Sequence, residues 1–120
     1  MKPTEIITMD ATQKGVDPTP ILSKIAKSVK SGNGIILQSG ESILVIRKFG
    51  EGRAELHFFT ADQPMAMIKA LKEFIRKIKD SDITEVYGNA DNGEILRILK
   101  NLGVEVMRSD IPDYNWKAIV

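Results

Sequence analysis

Glu55 and His57 stand two residues apart in "RAELHFFT", a run whose alternation places them side by side on one face of a strand. A carboxylate beside an imidazole is the pairing that takes a proton from an amine or from water, so both are candidate catalytic residues. A lone strand histidine next to Phe58 and Phe59 has a second reading, as a hydrogen-bonded packing residue. Glu55 has one too, as a solvated carboxylate on a half-exposed face. The same strand runs directly into "TADQPMAMIKAL", Thr60 to Leu71. A helix N-terminus that follows a strand offers free backbone N–H groups to a phosphate. Such seats usually carry glycine, because a Cβ holds the backbone away from the anion, and this junction has none.

Composition narrows the chemistry further. The 120 residues are 42% apolar and 28% charged with a net charge of +1, the balance of one folded globular domain. Bulk charge gives nucleic-acid binding no support. Cysteine is absent, which excludes disulfides, thiolate metal ligands and cysteine nucleophiles. His57 is the only histidine, so no metal site is expected. "MKPTEIITMD" lacks the apolar run of a secretory signal, and the aliphatic run Ile43 to Ile46 is far short of a membrane span. The expectation is a cytoplasmic protein without a membrane partner.

The elements that would position Glu55 and His57 follow from periodicity. Ile6-Ile7 suggests a short first strand, followed by turn residues Gly15, Asp17 and Pro18. An amphipathic helix is predicted from about Thr19, with Pro20 in its first position, to Gly32. "GIILQ", "SILVIRKF" and "RAELHFFT", joined by short glycine-bearing turns, predict an antiparallel meander. In its third strand Ala54, Leu56 and Phe58 face an apolar side. A long helix follows, with Leu71 and Ile75 on its buried stripe and Lys69, Lys72, Arg76 and Lys79 on a basic one. The basic stripe reads either as a solvated face or as a surface for an acidic partner. Thr60 with Gln63 has capping-box spacing, and Asp62 is an alternative cap. Ile83 to Tyr87 reads as a fourth strand, Asn92 to Leu102 as a helix capped by Gly103, and the chain closes with two strands. Tyr114 and Trp116 serve either to pack the last strand or as a partner surface. This order predicts a single α/β domain over residues 1–120, with a mixed sheet and helices on both faces.

"NGEILRILKNLGV", Asn92 to Val104, resembles the helix signature of the GNAT acyltransferase superfamily at Asn92, Ile95, Ile98, Leu99, Gly103 and Val104. The element order from Ile35 onward also matches that family. The resemblance implies an acyl-CoA pyrophosphate loop at the junction, read as Gln or Arg, two residues, Gly, one residue, then Gly or Ala. "QPMAMI" is its degenerate counterpart: Gln63 fits, Ala66 replaces the first glycine, Ile68 stands where a small residue belongs, and Pro64 has no N–H. Thr60, Gln63, Ala66, Asn89 and Asn92 are the cofactor-binding candidates that the resemblance implies. Asn92 also reads as a helix N-cap. The tyrosine that serves the family as general acid is Leu99 here. The Thr-x-Asp-Gln turn, the basic helix and Gly88-Asn89 resemble the small GNAT-like proteins of short-tailed phages, some of them virion proteins. The resemblance thus implies a binding or assembly module that takes no cofactor, with an unknown protein partner or a second copy of itself. The alternative is an N-acetyltransferase that uses acetyl-CoA or CoA through an unusual loop.

Overall fold

A computed structural model of the chain describes residues 1–89 and 94–120. In chain order the elements are helices α1 (Pro3–Gln13) and α2 (Pro18–Lys30), strands β1 (Gly34–Ser39), β2 (Ser42–Gly50) and β3 (Arg53–Thr60), helix α3 (Pro64–Lys79), strand β4 (Glu85–Gly88), helix α4 (Glu94–Asn101), and strands β5 (Glu105–Arg108) and β6 (Trp116–Ile119). They build one mixed six-stranded sheet in the order β1-β2-β3-β4-β6-β5. The meander is antiparallel as expected. β3 and β4 run parallel, which requires the crossover that α3 supplies.

Each face of the sheet has its own core. Leu44, Ile46, Ala54 and Val86 pack with Ala70, Phe74 and Ile78 of α3 and Leu99 of α4, and half-buried Leu56 and Phe58 join them. On the other face Ile43, Val45 and Phe59 meet Ile6 and Ile7 of α1 and Ile25 of α2. Alternate residues of β2 thus serve opposite cores, which is why Ile43 to Ile46 is buried without a break. Leu71 is buried and Ile75 half-buried, while Lys69, Lys72, Arg76 and Lys79 are all exposed.

Three local expectations are corrected. Ile6-Ile7 lies in a helix, not a strand. Pro3 sits at its first position, Glu5 Oε1 accepts the Lys2 N–H at 3.0 Å, and Ile6, Ile7, Asp10 and Ala11 form the buried face of α1. α2 begins at Pro18 rather than near Thr19, because Asp17 is the N-cap and its Oδ1 accepts the Thr19 N–H at 3.0 Å. The capping box of Thr60 and Gln63 does not form. Gln63 is the N-cap of α3 without a side-chain bond, and Asp62 turns away to take the Glu41 N–H at 3.0 Å and the Ser42 hydroxyl at 2.6 Å.

Two glycines carry positional meaning. Gly103 ends α4 at φ +84°, the left-handed cap read from the sequence. Gly88 closes β4 beneath the Trp116 indole, whose carbons would lie 2.7 Å from an added Cβ. Trp116 is buried and packs the last strand onto the sheet.

Candidate functional site

The pairing of β3 with β4 stops at Glu55 opposite Tyr87, although β3 continues to Thr60. From Leu56 onward the two strands part, and a cavity of about 430 Å³ occupies the gap. Leu56, Phe58, Leu71, Phe74, Leu99 and Trp116 supply its apolar lining, and Asp10, Lys14, His57, Thr60 and Asn89 its polar one. A second cavity of about 250 Å³ lies on the opposite face, between α2 and strands β2 and β3. His57 and Phe59 line both.

Glu55 and His57 come together as their spacing implied, but Glu55 is buried, 4% exposed, rather than solvated. The register places Arg47 directly opposite it on β2. Arg47 Nε donates to Glu55 Oε2 at 3.0 Å, and Arg47 Nη2 donates to the same oxygen. The Tyr114 hydroxyl donates to Oε2 at 2.7 Å, and His57 Nε2 is hydrogen-bonded to Oε1. Tyr114 is held in place by Phe49 and Tyr87, with ring centroids 5.8 and 5.7 Å away. The hydrogen bond from His57, followed by those from Tyr114 and Arg47, holds the Glu55 carboxyl far below the usual carboxylate range against the opposing effect of burial. Burial, with the bond to Glu55, pushes the Tyr114 hydroxyl up to about 12. A carboxylate this well satisfied is a poor proton acceptor near neutral pH. Its chemical capacity is to orient His57 and neutralise Arg47.

At the far end of β3 the Ala61 N–H donates to Glu41 O at 2.8 Å, on the β2 side. Alternation then turns the Thr60 N–H toward the open edge, where Asp10 Oδ2 accepts it at 2.9 Å. Asp10 is 5% exposed and paired with Lys14 Nζ at 2.8 Å. Thr60 Oγ1 is engaged as well, with Ser42 Oγ at 2.7 Å and the Asp62 N–H at 3.0 Å. In α3, Pro64 has no N–H and the Met67 N–H is bonded to Gln63 O at 3.0 Å. Met65 and Ala66, both exposed, are left as the amide donors of the first turn. Asn89 spans two loops: its Nδ2 donates to Asp113 O at 3.1 Å and its Oδ1 accepts the Asn115 N–H at 2.9 Å. Asn92 lies outside the described residues.

Of the groups that the sequence reading did not assign to this site, Arg47 was within reach. A hairpin that turns at Glu51 sets residue 47 opposite residue 55. Asp10 and Lys14 had no local signal, because their strand partner is 50 residues away in the chain.

No protein-family model and no curated protein matches the sequence. Solved structures do match. A GNAT-family acetyltransferase from Staphylococcus aureus Mu50 superposes with a TM-score of 0.65 at 16% identity, over 97% of this chain and 88% of that one. An IAA acetyltransferase from Bacillus cereus gives 0.59 at 12% identity, over 98% and 89%. The chain has the GNAT fold. A third GNAT relative in structure, the putative acetyltransferase yncA of Salmonella typhimurium solved with acetyl-CoA, gives 0.52 at 14% identity, over 87% and 72%. Leu99 is a buried apolar residue that lines the larger cavity.

Proposed function

We propose that this GNAT-fold protein is a binding module that does not transfer acetyl groups. The observation that carries the reading is Asp10. A buried carboxylate already occupies the Thr60 N–H, beside the junction where an acyl-CoA pyrophosphate would need backbone donors and no competing anion. The proline start of α3, the saturated Glu55 and the apolar Leu99 support the same conclusion. Its partner is another protein or a second copy of the chain, encountered in the cytoplasm, or in a virion if a phage encodes it. Incubation with acetyl-CoA and a mixture of primary amines is expected to release no thiol above the uncatalysed rate.

A second reading, an acetyl-CoA-dependent N-acetyltransferase, has one specific observation in its favour. His57 lines both cavities, so its imidazole stands where a donor on one face would meet a nucleophile on the other. In that reading Glu55 is the positioning residue and His57 the base. Thiol release that disappears in His57→Ala would put it ahead.

The obstruction can also be tested by removal. Gly at positions 66 and 68 with Asp10→Ala, which also frees the Thr60 N–H, should open the junction, at a cost of about 1 kcal/mol per glycine in helix propensity. That variant is expected to gain measurable CoA affinity by calorimetry and still not transfer acetyl groups, since Leu99 supplies no acid. Unchanged affinity would show that these three residues do not obstruct the junction.

A further inference from the structure

The smaller cavity is the part of the molecule that the proposed function leaves unused. Its walls are Ile21 and Ile25 of α2, Val45 of β2 and Phe59 of β3, and its charged lining is Lys24, Arg47 and Glu55. What it can hold is decided by which of those charges are already committed. Glu55 Oε2 accepts from Arg47 Nε, Arg47 Nη2 and Tyr114, and Oε1 is taken by His57. One lone-pair site is left, on Oε1, and with Glu55 only 4% exposed an incoming amine or guanidinium has little access to it. Arg47 Nη1, by contrast, makes no hydrogen bond among the described residues, and the Arg47 side chain is 34% exposed. Lys24 is exposed on α2 and forms no ion pair among the described residues. Glu55 cancels the charge of Arg47, so Lys24 leaves the cavity net positive. The rest of the wall is apolar.

We propose that this cavity binds small monoanionic carboxylates with a compact apolar body. The carboxylate pairs with Arg47 Nη1 and Lys24, and the body lies against Ile21, Ile25 and Phe59. A guanidinium edge that is already anchored by Glu55 loses little further freedom when it receives a carboxylate. At about 250 Å³ the space suits a single ring or a branched chain and is too small for a nucleotide. The inference does not depend on whether the larger cavity accepts acetyl-CoA, because of the contacts to the carboxylate and its body only Phe59 also lines that cavity.

The test is a titration of the whole chain, followed by amide chemical shifts, with three probes of one shape: phenylacetate, its uncharged amide and phenethylamine. Phenylacetate is expected to bind saturably with a Kd on the order of 1 mM or tighter, at least about tenfold better than the other two. The shifts should cluster on α2, β2 and β3. Lys24→Gln alters an exposed side chain and should weaken phenylacetate several-fold without touching the fold. Arg47→Met combined with Glu55→Gln removes the ion pair as a unit, so no buried charge is stranded, and should abolish the preference for the anion. Equal binding of all three probes, tighter binding of phenethylamine, or no saturable shift would overturn the proposal. If the double variant fails to fold, the ranking of the probes and Lys24→Gln still decide it. An acetyl-CoA titration run alongside reads the larger cavity separately.

Discussion

Arg47→Ala is expected to destabilise the protein by about 3–5 kcal/mol, the usual cost of stranding one member of a buried ion pair. Glu55 stays buried when Arg47 is lost, with only His57 and Tyr114 to satisfy it. Glu55→Gln in the same background should recover most of the loss, since the amide carries no charge to strand. Acid should act through the same carboxyl. Its folded pKa lies below the unfolded value of 4.5, so its contribution is full above about pH 5 and falls away progressively as the pH drops below that. Urea denaturation of the wild type and Glu55→Gln across pH 3–7 should therefore show a shallower acid decline in the variant. An Arg47→Ala cost below about 1 kcal/mol would mean that Glu55 is hydrated rather than buried.

Leu71→Ala and Lys72→Ala, neighbours in sequence on α3, should differ sharply. Leu71 is 4% exposed and lines the larger cavity, so truncation should cost about 2–5 kcal/mol. The lower end applies if the enlarged cavity admits water. Lys72 is exposed and its truncation should stay within about 0.5 kcal/mol. Equal shifts in the denaturation midpoint would mean that the helix packs on a different face.

The difference between what could and could not be read from the chain follows contact range. The meander was legible because its turns are local. Gly40 and Gly52 supply the φ of +57° and +71° that its two tight turns need. The stripe of α3 and the cap at Gly103 were legible for the same reason. Ile6-Ile7 misled because two adjacent β-branched residues fit a strand over two positions, while the helix pattern appears only when Asp10 and Ala11 are counted. Thr60 and Gln63 misled because their spacing fits a cap, yet Thr60 was already held in the sheet by Ser42. Glu55 and His57 were found through strand alternation. Their environment was not, since Tyr114 donates to Glu55 from 59 residues away. A solvated glutamate and a saturated buried one have the same local sequence.

The most direct test of the central claim is isothermal titration of the unmodified protein with acetyl-CoA. On the proposed reading, the Asp10 carboxylate on Thr60 and the proline-started α3 leave too few donors for a pyrophosphate. No heat of binding is therefore expected up to millimolar ligand, which corresponds to an affinity weaker than about −4 kcal/mol. Saturable micromolar binding would contradict the claim outright and make the transferase reading the one to pursue.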